Sequence, residues 1–163
     1  MEKSYRIERT NRQQVFSECA NMMVRSDPWL TLGMSLEQCL KAFEGEFKEI
    51  HILEIGKELA GFVILQTQGT FKGYIQTIYI DKSFRGQGYG KMLLQYSEQN
   101  ILKYSPNIFI CVSSFNTGAS KLYEEFGFKK VGELTDFLKK GYSEWLFRKT
   151  YGPIIGYDVH PGN

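Results

Sequence analysis

Nowhere in the 163 residues does an apolar run approach the ~18 residues that a membrane-spanning helix needs. The opening Met1-Glu2-Lys3-Ser4-Tyr5-Arg6 has no apolar core, so it does not read as a signal peptide. Neither sign of charge is in surplus: 20 Lys and Arg against 18 Asp and Glu leave +2, too little to argue for nucleic acid or a membrane surface as partner. Cysteine is sparse. Cys19, Cys39 and Cys111 are odd in number and far apart, which excludes a disulfide framework; their apolar neighbours make them buried free thiols of a reducing compartment. Internal repeats, linkers and low-complexity tracts are absent, and no metal site is assigned. What remains is an ordinary globular composition, 42% apolar and 23% charged. The chain reads as one cytoplasmic domain over residues 1–150, long enough to bury a core without disulfides or metals. The tail, 151–163, has no clear period and is either disordered or packed on a partner chain, which leaves a homodimer open.

Periodicity divides the domain into α and β segments. Tyr5–Glu8 is a short strand, and Arg12 to about Arg25 is a helix with Val15, Phe16, Cys19, Met22 and Met23 on one stripe. Pro28 disfavours helix at Asp27. A second helix starts at Ser35, where Gln38 completes a capping box, and buries Leu36, Cys39, Leu40 and Phe43. The period then changes to two. His51–Ile55 and Leu59–Leu65 flank a hairpin turn at Gly56-Lys57-Glu58, and Tyr74–Ile80 follows. A helix runs from Lys91 to about Leu102, and Asn107–Val112 is so continuously apolar that it reads as a central strand. Asn116 opens a further helix that Gly127 stops. Strands at 128–138 and 142–149 close the domain, giving an α/β class.

The stretch with most chemistry is Arg85-Gly86-Gln87-Gly88-Tyr89-Gly90-Lys91, between the strand ending at Ile80 and the helix that follows. Alternating glycines strip side chains from the turn, so backbone N–H groups can approach a ligand. The helix start adds unpaired N–H groups and the positive end of its dipole. Together these make an anion site suited to phosphate, with Arg85 and Lys91 at its ends. Two nucleotide fingerprints fail on residues. A dinucleotide motif read from Gly86 puts Lys91 at its third glycine, and a P-loop register puts Arg85 at its first glycine and Met92 at its hydroxyl position.

The turn resembles the Arg/Gln-x-x-Gly-x-Gly/Ala signature of the GCN5-related N-acetyltransferases, the GNAT superfamily. A second block, Asn116-Thr117-Gly118-Ala119-Ser120-Lys121-Leu122-Tyr123-Glu124-Glu125-Phe126-Gly127-Phe128, is similar to that family's Asn-x-x-Ala-x-x-x-Tyr-x-x-x-Gly-Phe segment. The resemblance covers roughly residues 5–149. It implies a mixed, mostly antiparallel sheet of about seven strands flanked by about four helices. It also implies acetyl-CoA as co-substrate and an amine acceptor, in an N-acetyltransferase that forms a direct-attack ternary complex.

Carried over residue by residue, Gly86, Gln87, Gly88, Gly90 and Lys91, with Arg85, hold the pyrophosphate. Ile78 supplies a backbone N–H to the thioester oxygen, and Ile80 pairs with the pantetheine arm. Asn116 caps its helix and presents its amide to the cofactor, and Tyr123 protonates the departing thiolate. An acid that some members carry early in the strand before the turn is Tyr74 here. Glu54, His51 and Glu144 remain as bases acting through a water, each read first as a solvated strand residue. Acceptor contacts fall on the segments around Trp29 and Tyr142, with Trp29 either a substrate wall or a plug over the core. A non-catalytic acyl-CoA sensor and a nucleotide-binding module are the rival readings.

Overall fold

The computed structural model describes residues 4–158. Seven strands, β1 (Tyr5–Thr10), β2 (Lys48–Ile55), β3 (Glu58–Gln66), β4 (Tyr74–Ile80), β5 (Asn107–Ser113), β6 (Lys129–Thr135) and β7 (Ser143–Thr150), form one sheet in the order β1-β2-β3-β4-β5-β7-β6. Every neighbouring pair is antiparallel except β4 and β5. The helices are α1 (Gln13–Val24), α2 (Trp29–Leu32), α3 (Leu36–Lys41), α4 (Tyr89–Ile101) and α5 (Thr117–Phe126). The sheet and its flanking helices are those the resemblance implies, with α2 an additional single turn.

Helices cover both faces, which explains the continuous apolar run of β3. Phe62 and Ile64 face α1 and α3, packing with Phe16, Met23, Cys39 and Phe43. Val63 and Leu65 face α4, packing with Leu93, Leu94 and Ile108. A strand buried on both faces loses the alternation of a half-exposed one.

Local chemistry sets the helix ends. Ser35 accepts from the Gln38 N–H at 3.2 Å while the Gln38 side chain accepts from the Ser35 N–H at 2.8 Å, completing the box. The Asp27 carboxylate accepts from the N–H and hydroxyl of Thr31 at 3.0 and 2.6 Å. This closes the turn that becomes α2. Gly88, at φ 86°, caps α4 so that the helix begins at Tyr89 and not at Lys91. After β7 the Tyr151 hydroxyl donates to Glu98 at 2.8 Å and the Tyr157 hydroxyl donates to the Leu102 carbonyl. Residues 151–157 are thus strapped over the end of α4. The tail from 159 onward lies outside the described residues.

The feature that positions the site is a defect in the sheet. β4 and β5 pair only at Tyr74 with Phe109 and Ile75 with Ile110. Thr77 and Ile75 oppose the consecutive residues Ile64 and Leu65, so Gln76 is an extra residue in a bulge. A bulge bends its strand, and beyond it β4 leaves β5 and the sheet opens into a wedge. The Gln76 side chain fixes the bend by donating to the Ala42 carbonyl at 2.9 Å.

Candidate active site

The wedge holds a cleft of two connected lobes. The first, about 360 Å³, runs from the glycine turn past Ile78 and Ile80 to Asn116 and Leu122. The second, about 220 Å³, runs from Tyr74 and Gln76 to Cys111, Ser113 and Glu144. Pro28, Trp29, Ile78, Asn116 and Tyr123 line both, so the lobes meet at those five residues.

β4 presents a free backbone edge to this cleft. The Asp81 N–H bonds to the Ala60 carbonyl on the β3 side at 2.8 Å. Bonding direction alternates along a strand, so Ile78 and Ile80 turn their N–H and C=O groups toward the gap. The Ile80 carbonyl already has a partner there, the Arg85 Nε at 2.9 Å. Arg85 also lies over the Tyr79 ring, 5.6 Å from its centroid.

The turn at the first lobe's mouth is built to receive an anion. The Met92 N–H bonding to the Gly88 carbonyl at 3.1 Å is the first helical bond, so the N–H groups of Tyr89, Gly90 and Lys91 have no acceptor within the helix. Gly86 and Gly88 both take positive φ, and a side chain on either would meet nothing within 4 Å. The space above them is therefore open, at a helix start whose unpaired N–H groups favour an anion. Arg85, Gly86 and Gly90 line the cavity, whereas Gln87, Gly88 and Lys91 form the exposed edge of the same turn. The Gln87 side chain is turned back to the Ser83 carbonyl at 3.3 Å.

From the other side of the wedge, Asn116 caps α5 by accepting from the Ala119 N–H at 3.3 Å, and it lines both lobes. Tyr123 lies two turns along the same helix, with its ring against Phe128 and Phe147 at 6.0 and 6.3 Å. Burial pushes its phenol well above the ordinary tyrosine range, which keeps the proton on the oxygen at neutral pH.

The remaining sequence candidates separate sharply. Trp29 is both wall and plug: it packs at 5.9 Å on Tyr79 and lines both lobes. Tyr142 lies outside both lobes, edge-on to Phe115 at 5.7 Å, and Phe137 and Leu138 take the rim instead. His51 bonds to the Tyr96 hydroxyl at 2.8 Å and Glu49 at 3.2 Å, away from the cleft. Burial lowers its pKa, so it stays neutral. Glu54 pairs with Arg6 at 2.6 Å at the β1 edge. Glu144 alone of the three faces the cleft. It is 4% exposed rather than solvated, and accepts a hydrogen bond from the Ser113 hydroxyl at 2.5 Å. Burial raises its pKa above the usual carboxylate range, and Ser113 opposes this. Cys111 also lines the second lobe, half-buried, whereas Cys19 and Cys39 are buried. An acid directly before the apolar run Trp145-Leu146-Phe147 of β7 is the signal that could have singled Glu144 out.

Among the described residues no cluster of three or more His, Cys, Asp or Glu could hold a metal, and no helix is long and apolar enough to cross a membrane. An open wedge between the parallel strands, a glycine turn at a helix start beside it and a buried phenol where its two lobes meet make up the site. Residues 13–128 match the profile of the acetyltransferase (GNAT) family, and the chain belongs to that family. The peptidyl-lysine N-acetyltransferase YjaB of Salmonella typhimurium is 34% identical over 75 residues, so the match spans 46% of each chain, about half the length of that relative. The ribosomal-protein-S18-alanine N-acetyltransferase of Escherichia coli has the same fold at 17% identity, with a TM-score of 0.73 over 92% of this chain and 96% of that one. A Bacillus anthracis protein assigned as a streptothricin acetyltransferase, solved in complex with acetyl coenzyme A, aligns at 23% identity with a TM-score of 0.60, over 66% of this chain and 65% of that one.

Proposed function

We propose that the protein transfers an acetyl group from acetyl-CoA to the nitrogen of a primary amine, with both substrates bound together. The observation that carries this reading is the junction of the two lobes, where the free edge of β4 at Ile78 and the Tyr123 phenol share one space. Family membership and the acetyl coenzyme A bound by the Bacillus anthracis neighbour support the choice of carrier. When bound, acetyl-CoA supplies an activated carbonyl carbon and a thiolate leaving group.

The chain's own residues do the rest. Arg85 and the amides of Gly86, Gln87, Gly88, Gly90 and Lys91 hold the diphosphate at the start of α4. The Ile80 backbone edge aligns the extended arm. The Ile78 N–H is the donor for the carbonyl oxygen, where negative charge grows as the amine attacks. Asn116 borders both substrates, and Tyr123 gives its proton to the departing sulfur.

Calorimetry with acetyl-CoA, followed by a thiol-release assay over a panel of amines, tests the reading; absence of acetyl-CoA binding would sink it. Arg85→Ala should weaken acetyl-CoA binding about tenfold, the effect of one lost charge-assisted contact of about 1.4 kcal/mol. The loss should shrink as salt rises. Unchanged affinity at low salt would remove Arg85 from the anion site.

A further inference from the structure

The second lobe carries an electrostatic pattern that narrows the acceptor. We propose that Glu144 receives the acceptor's ammonium group and takes its proton, and that the acceptor is a compact primary monoamine with an uncharged, apolar body. The proposal rests on the acetyl-transfer reading above.

Glu144 is the sole charged side chain among the residues lining this lobe. Its carboxylate is buried, with the Ser113 hydroxyl as its one hydrogen-bond partner among the described residues. An ionised carboxylate offers about four acceptor positions, and Ser113 fills one of them, which leaves positions for a ligand to donate to. An ammonium group supplies both the countercharge and the missing donors. No lysine, arginine or histidine lines the lobe to receive an anionic substituent, and no second acid lines it to receive another ammonium. Met23, Trp29, Leu32 and Met34 make one wall apolar, and Phe137 and Leu138, each 58% exposed, make the rim apolar. The volume, about 220 Å³, lies below the ~300 Å³ where sites for drug-sized ligands begin.

The proton and electron movements balance. The ammonium nitrogen passes one proton to the Glu144 carboxylate, and its freed lone pair forms the bond to the thioester carbon. The carbon–sulfur bond breaks with its electron pair on sulfur, which takes the Tyr123 phenolic proton. The second nitrogen proton restores the phenol through water, and Glu144 sheds its own to solvent. One proton is released per turnover.

The titratable groups facing Glu144 are the Tyr74 hydroxyl from β4, the Cys111 thiol from β5 and the Tyr123 hydroxyl from α5; β6 opposes it with Leu134. All three are pushed above their ordinary values by burial and stay neutral while Glu144 titrates. Glu144 works when ionised, so kcat/KM should rise with pH through a value above the usual ~4.3 of a glutamate. It should then hold a plateau until the amine itself loses its proton.

The test uses the full chain, acetyl-CoA and a thiol-release assay with phenethylamine, butylamine, a four-carbon diamine, alanine and a lysine-containing peptide. The two monoamines should exceed each of the others at least tenfold in kcat/KM. Glu144→Gln should cut kcat/KM for phenethylamine about 100-fold, with acetyl-CoA affinity within twofold of wild type. Its plateau should be replaced by a tenfold rise per pH unit up to the amine's own pKa. Glu144→Asp, which keeps the carboxylate, should restore the plateau at reduced kcat and guards against a glutamine variant that fails to fold. A wild-type plateau in Glu144→Gln, or preference for the diamine, alanine or the peptide, overturns the proposal while leaving acetyl transfer standing. Failure of the wild type to bind acetyl-CoA overturns both.

Discussion

Tyr123→Phe is expected to lower kcat by about 10²- to 10³-fold while leaving acetyl-CoA affinity within twofold. The substitution removes one oxygen and keeps the ring, so the ring contacts to Phe128 and Phe147 persist and the fold should be unaffected. What disappears is the proton donor at the junction of the lobes. A positioned acid contributes typically 10²- to 10⁴-fold. The phenol's raised pKa keeps it protonated through the working pH range, so the deficit should be the same at pH 6.5 and pH 8.5. Single-turnover thiol release, set beside calorimetric affinity for acetyl-CoA, separates a loss in chemistry from a loss in binding. A deficit below threefold would remove Tyr123 from the proton path.

Gly73→Ala is expected to cost about 3 kcal/mol of stability, a fall of roughly 10 °C in Tm for a domain of this size. Gly73 is the pin that joins the two halves of the sheet. Its N–H donates to the Gln66 carbonyl at 2.9 Å and its carbonyl accepts from the Phe109 N–H at 3.1 Å. Its φ is +91°, and an added Cβ would lie 2.2 Å from the Asn107 carbonyl oxygen and 2.9 Å from the Ile101 side chain. The Asn107 backbone has little room to yield, because its side chain is tied to Arg148 at 2.6 Å and to Thr150 at 2.7 Å. Gly69→Ala is the internal control: its φ is +90° but a Cβ there meets nothing within 4 Å, so only the backbone cost of about 1 kcal/mol applies. Thermal unfolding of both variants makes the comparison. Equal losses would mean that the contact with Asn107 relaxes freely and that strain alone matters at Gly73.

What could be read before the fold was known is what short stretches encode. The Ser35–Gln38 box, the left-handed Gly127 stop and the glycine turn each depend on residues within one or two turns of one another, and each is found where its pattern lies. The placement of Glu144 depends on partners far along the chain. Its hydrogen bond comes from Ser113, 31 residues away, and Trp29, farther still, lines the same lobe. Strand alternation alone leaves such an acid looking solvated. Tyr142 illustrates the converse. A large aromatic in the right loop has the character of a substrate wall, but Phe115 takes its ring and Lys139 covers it at 5.7 Å. The strap at 151–157 has no period because it follows the end of α4 rather than forming an element of its own.

The gap between β4 and β5 has a further consequence. An unpaired strand edge on a protein surface is a hazard, because any extended chain can add to it. Here the edge lies inside a wedge that closes at Tyr74 and Ile75. An occupant must be narrow, extended and able to offer amide-like groups to the N–H and C=O of β4. The bulge at Gln76 thus creates the edge, and the wedge around it limits what can add to it.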